Sequence, residues 1–178
     1  MSKITDIDGQ RFSFPQGWHV LPYDKSVFHR NHFQSFAGGT KALDLVAISP
    51  EQVLWLIEIK DYIRNRRSKK GTVYSEVAEK VKSTLAGLAT ARIRANNNDE
   101  CVFANQAMSS RDLRVVLYLD QPRHNSRLFK QVVDPRTATK QLQRAVRAVD
   151  PHAICCGHGV KDLVMPWTVQ RMAQGSSG

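Results

Sequence analysis

At 178 residues, with 42% hydrophobic and 24% charged side chains, the chain has the balance of a globular domain able to bury a substantial core. Its 26 Lys and Arg outnumber 16 Asp and Glu, a net +10, which favours a polyanionic partner: nucleic acid first, an anionic membrane surface second. Three cysteines, Cys101 and the adjacent pair Cys155–Cys156, exclude a disulfide framework, and no run approaches transmembrane length. The opening MSKITDIDGQRF has no apolar targeting segment, so reduced thiols in a cytoplasmic protein are the expectation.

Residues 1–23 carry Phe12, Phe14, Trp18 and Tyr23 among the breakers Gly9, Pro15, Gly17 and Pro22. They are expected to be irregular lead-in structure with one short strand. A helix is assigned to Asp24–Phe36, with Asp24 as its N-cap, although the second half would also suit a strand ending at Gly38–Gly39. The stretch ALDLVAISPEQVLWLIEIKDY then gives two apolar runs, Ala42–Ile48 and Val53–Lys60, parted by Ser49–Pro50–Glu51–Gln52. Two such runs around a Pro-bearing polar break predict a β-hairpin. Arg64, Arg66, Arg67, Lys69 and Lys70 crowd the loop that follows.

From Glu76, the residues Val77, Val81, Leu85 and Leu88 recur at helical spacing, predicting a helix that fades before Asn96–Asn98. Leu113–Leu119 is a strand ended by Asp120–Gln121–Pro122, and Thr137–Val149 is a further helix with Leu142, Val146 and Val149 on one side. Ala153–Met172 adds one or two short strands, and Gly175–Gly178 is read as a disordered tail. With no repeat, long linker or low-complexity block, residues 1–174 form a single α/β domain, a mixed central sheet flanked by helices.

Three ionisable residues interrupt the hairpin: Asp44, Glu58 and Lys60. Buried charge is costly unless it is paired or bound to a metal. Side chains alternate along a strand, so Glu58 and Lys60 share a face, and antiparallel pairing could bring Asp44 beside them. A surface hairpin with a Glu58–Lys60 ion pair is the plainer reading of the same residues. Glu76 and Lys80 are candidates for facing this site from the next helix, although a solvated i,i+4 pair is the commoner arrangement. His152, Cys155, Cys156 and His158 lack the paired spacing of a zinc module, and Trp18, Trp55 and Trp167 are read as core.

Asp44, thirteen intervening residues, then Glu58–Ile59–Lys60 resembles the PD-(D/E)xK nuclease superfamily, the restriction-endonuclease-like fold. The resemblance covers about Ala42 to Leu119. It implies that Asp44 and Glu58, with the Ile59 backbone carbonyl, bind Mg²⁺, for which Mn²⁺ can substitute, and that Lys60 assists the attacking water. Hard carboxylate oxygens suit such an ion. The implied function is hydrolysis of phosphodiester bonds in nucleic acid, DNA ahead of RNA. The basic residues Arg64, Arg66, Arg67, Lys69 and Lys70 would bind phosphates, and a homodimer would suit cutting both strands of a duplex. Two departures stand out. No Glu precedes Glu51, so the acid that many members carry before the Asp strand is absent unless Asp24 replaces it, and Leu43 stands where a Pro is usual. An inactive nucleic-acid-binding relative therefore stays open, as does an interaction subunit of a larger defence or repair assembly.

Overall fold

The computed structural model describes residues 2–65, 71–124, 130–161 and 163–172. Eight strands form two sheets. In the first, β1 (Lys3–Ile7), β2 (Gln10–Phe14) and β8 (Thr168–Arg171) run antiparallel in the order β1-β2-β8. The β1–β2 turn is Asp8–Gly9, at φ 49° and 74°, a pair of left-handed residues that matches the twist of a two-residue hairpin.

The second sheet has the order β3-β4-β5-β6-β7, built from β3 (His19–Pro22), β4 (Leu45–Ile48), β5 (Val53–Asp61), β6 (Asp112–Asp120) and β7 (Ile154–Cys156). The first three strands are mutually antiparallel, while β5–β6 and β6–β7 are parallel. Parallel neighbours need crossover connections. Helices α1 (Val73–Arg94) and α2 (Asn98–Met108) supply the first, and α3 (Ala138–Val146) the second. The mixed sheet and flanking helices of the α/β expectation are thus present.

Both faces of this sheet are covered, which is why its central strands read as nearly unbroken apolar runs. Val46, Leu54, Leu56, Val115 and Leu117 pack toward the helices, against Val77, Val81 and Leu88 of α1 and Leu142 of α3. Leu45, Ala47, Ile57, Ile59 and Val116 pack toward the first sheet, against Phe12 and Phe14. Trp18, Trp55 and Trp167 gather at this second interface with ring centroids 5.1 to 6.1 Å apart. The tryptophans belong to the core, as the sequence suggested, and buried Cys155 and Cys156 send their side chains to opposite faces.

α1 approaches the sheet through a glycine. A Cβ at Gly87 would lie 2.1 Å from Tyr23 Oη and 3.2 Å from the Phe33 ring. No larger residue fits there unless the Tyr23 side chain or the helix shifts.

Several local expectations are corrected. Residues 2–23 hold three strands rather than an irregular lead-in with one short strand. Phe12 and Phe14, alternating with half-exposed or exposed neighbours, carry the period-two signal. Pro22 closes edge strand β3, where a missing N–H costs little. The helix assigned to Asp24–Phe36 is broken into a 3₁₀ turn at Tyr23–Lys25, a π-helical turn at His29–Phe33 and a 3₁₀ turn at Phe36–Gly38. Asp24 is inside the first of these and caps no α-helix; extended Ser26 separates it from the next turn. α1 begins three residues earlier than expected, because the Thr72 side chain accepts the Ser75 N–H and so fixes the N-cap. α2 was not expected at all. The Asn run that reads as a loop contains its cap, Asn97, which accepts from the N–H groups of Asp99 and Glu100. The tail at Gly175–Gly178 lies outside the described residues.

Candidate functional site

The β4–β5 ladder ends at Leu45↔Ile57, so the chain before Leu45 and the end of β5 have free edges toward each other. Asp44 sits one residue before β4 rather than within it. Its carbonyl accepts the Tyr23 N–H at 3.1 Å, and its carboxylate Oδ2 accepts the Ile59 N–H at 2.7 Å. The acid thereby extends the ladder with a side chain and is held against the Glu58–Ile59–Lys60 tripeptide. Thr84 of α1 steadies the same segment, its hydroxyl oxygen accepting the Leu43 N–H at 3.1 Å.

Glu58 and Lys60, on the helix-facing side of β5, meet two residues of α1. Lys60 Nζ and Lys80 Nζ each lie 2.6 Å from Glu58 Oε1. Lys60 also reaches Glu76 Oε1 at 3.2 Å, and Lys80 lies 3.7 Å from Asp44 Oδ1. Three carboxylates and two ammonium groups thus form one connected cluster. Glu76 and Lys80, one helical turn apart, are not the solvated pair of the commoner reading; each turns inward to a partner on the sheet. Their apolar neighbours Val77 and Val81, both buried, are the sequence signal that this turn of α1 faces the sheet.

The electrostatics are uneven. Glu58 has no exposed surface, and its Oε2 is buried without a hydrogen-bond partner. Burial first, then the Asp44 charge, push its carboxyl up to about 7, with Lys80 and Lys60 pulling the other way. Desolvation would lower the Lys60 ammonium, but the charge and hydrogen bond of Glu58, with Glu76 and Asp44 behind them, outweigh it and raise the group. Lys60 is therefore a cation throughout the neutral range, a donor of charge and of hydrogen bonds.

Other expected residues fall elsewhere. Asp24 is not brought to the cluster; its carbonyl accepts from Arg30 Nε, and its charge bears on His29. Arg64 packs over Gly9, donates to the Met172 carbonyl at 3.1 Å and lies 3.6 Å from Asp61 Oδ2. It is committed to the first sheet. Arg66, Arg67, Lys69 and Lys70 lie outside the described residues. Among the described residues no three His, Cys, Asp or Glu side chains form a metal-holding group, the set at His152–His158 included.

A second polar cluster occupies the opposite face at the ends of β5 and β6. Asp61 and Asp120 are register partners. Asp120 accepts from Gln10 Nε2 and Arg171 Nη2 through one oxygen and from the His158 N–H through the other. Asp61 Oδ1 accepts the N–H groups of Ile63 and Arg64. The Gln10 and Arg171 bonds tie the two sheets together.

The chain is 28% identical over 164 residues to a cysteine–tRNA ligase of Neisseria meningitidis serogroup A, an alignment covering 74% of this chain and 23% of that protein. The chain thus spans about a quarter of that relative's length. No family model matches the chain, and no solved structure does. No helix among the described residues is long and apolar enough to cross a membrane.

Proposed function

We propose that this chain is a divalent-metal-dependent nuclease with a centre of the PD-(D/E)xK type on a restriction-endonuclease-like core. One observation carries the reading: the Asp44 carboxylate is bonded to the peptide N–H of Ile59, the residue between Glu58 and Lys60. An acid far back in the chain is thereby fixed against the Glu-x-Lys tripeptide, where a shared task would need it. The strand directions support it too. Two antiparallel steps followed by a parallel one put Asp44 and Glu58 on adjacent segments and leave α1 to close over them.

The residues present fit Mg²⁺ or Mn²⁺ by their chemistry. Asp44 and Glu58 offer hard oxygens, and the orphaned Glu58 Oε2 is a buried acceptor in want of a positive partner. The Ile59 carbonyl lies on the same side of β5 as its N–H, hence toward Asp44. Such an ion would supply Lewis-acid charge to a phosphate and lower the pKa of a water. Lys60, held as a cation by Glu58 and Glu76, orients water and stabilises negative charge developing on phosphate oxygens. Lys80 holds Glu58 and Asp44 in place.

The test is cleavage of labelled single- and double-stranded DNA and of RNA, tRNA included because the relative's name is that of a tRNA ligase, with Mg²⁺, Mn²⁺ or EDTA. Asp44→Ala and Lys60→Ala are run beside the wild type, with binding measured at two salt concentrations. Metal-dependent cutting lost in both variants, with binding retained, is the expected result; a wild type that cuts nothing under any condition sinks the nuclease. One feature favours a second reading, a nucleic-acid-binding module without catalysis: Lys60 and Lys80 both neutralise the same Glu58 oxygen. That reading predicts salt-sensitive binding and no cutting.

A further inference from the structure

The broken helix between β3 and Asp44 builds an aromatic wall. Phe28 and Phe33 stack at 6.3 Å, Phe33 and Phe36 at 5.3 Å with ring planes 25° apart, and His32 lies 5.7 Å from Phe28. Phe33 is buried, but Phe36, at the open end of the stack, is 60% exposed. Its turn includes Ala37 at φ 52°, a left-handed conformation that disfavours any residue with a side chain. Opposite the wall stand Thr90 and Arg94 of α1, both exposed, and the groove between has a volume of about 320 Å³. Among the described residues no acidic side chain lines it.

Phe36 stacks one side of its ring on Phe33 and leaves the rest open, across the groove from a guanidinium. An aromatic face for stacking, beside a cation for phosphate, is the pairing that single-stranded nucleic acid recognition uses. The chain's net charge of +10 and the acid-free lining of the groove favour a polyanion over an apolar partner. Arg94 follows Lys80 by fourteen residues on the same helix, about 21 Å along its axis at 1.5 Å per residue. Between the two, Thr84 and Gly87 are covered by Leu43, Tyr23 and Phe33, so the groove is a site separate from the acidic cluster.

The geometry points to this groove as a subsite for single-stranded nucleic acid, with one unstacked base laid on Phe36 and a neighbouring phosphate held by Arg94. This rests on the nucleic-acid reading of the chain and specifies its substrate as a single strand or a single-stranded flank.

The experiment is fluorescence anisotropy of a labelled oligothymidylate, a same-length oligonucleotide of abasic sites, and a duplex, with the full chain in EDTA. Phe36→Ala should weaken oligothymidylate binding about 10-fold, within the range of one base–aromatic stack. Phe36→Trp should restore it and Phe36→Leu should not. The abasic oligonucleotide should bind weakly and ignore all three substitutions. Arg94→Gln should reduce the slope of log affinity against log salt by about 0.7, as for one phosphate on a single strand. Equal affinity of Phe36→Leu and wild type, equal losses on duplex and single strand, or no binding of oligothymidylate overturns the proposal. Because EDTA removes cleavage from the readout, Phe36-dependent binding without any nuclease activity would keep this subsite and reject the nuclease. Cleavage with Phe36-independent binding would do the reverse.

Discussion

Two polar clusters end strand β5, one on each face, and they are buried in different ways. On the face toward the first sheet, Asp61 and Asp120 receive peptide N–H groups from Ile63, Arg64 and His158, with Gln10 and Arg171 completing the set around Asp120. Backbone donors stabilise the charged carboxylate where it stands and cannot swing away. On the face toward α1, Glu58 receives two lysine side chains on one oxygen and nothing on the other. Burial, with the Asp44 charge, drives its carboxyl up. Similar residue types thus make a tie between layers on one face and, on the other, a buried acid held only by two ammonium groups; Asp61 Oδ2 also lacks a hydrogen bond, but the Arg64 guanidinium lies 3.6 Å from it.

The contrast can be broken most forcefully at Asp120. Asp120→Ala removes the acceptor for three donors, two of which, Gln10 and Arg171, join the sheets, and should lower stability by about 3 kcal/mol in chemical denaturation. A loss below about 1 kcal/mol would remove the structural assignment of that cluster. Glu58→Gln should act in the opposite sense. A carboxyl raised from 4.5 to about 7 contributes stability that is complete below the unfolded value and is lost as pH rises through the folded one. Metal-free wild type should therefore lose about 1.4 kcal/mol between pH 6 and pH 8 relative to Glu58→Gln, while metal-dependent cleavage disappears in the variant. Parallel stability curves across that range would show that Glu58 is not held as described. Smallest is Thr72→Ala, which deletes the α1 N-cap and should cost about 1 kcal/mol. Because α1 carries Glu76 and Lys80, some loss of cleavage should accompany it; Ser at position 72 should recover both.

How much of this was legible in the chain depends on range. β4, β5 and β6 declare themselves because burial on both faces demands unbroken apolar runs, and charges in such runs stand out. Glu58 and Lys60 share a face by strand periodicity alone. What local pattern does not contain is Asp44's partner: the Ile59 N–H is available only because the ladder stops at Leu45↔Ile57, a fact of register. The inward turn of Glu76 and Lys80 was half visible, through Val77 and Val81 beside them. The segment after Tyr23 was misread because a π-helical turn and two 3₁₀ turns leave no single period to detect. The first two strands were missed because five-residue strands with polar alternate positions resemble lead-in loop. Arg64 was placed by proximity in sequence, whereas the chain turns after Asp61 and carries it to the other sheet.

Gly87 bears on all of this from two turns away. With only a hydrogen at that position, α1 settles against Tyr23 and Phe33 at a depth that no side chain permits. Lys80 meets Glu58 two turns back along the same helix. The approach of α1 to the turns after β3 is thus set by an atom the chain omits, and a methyl group there would act as a shim against Tyr23 without touching either the lysine or the acid.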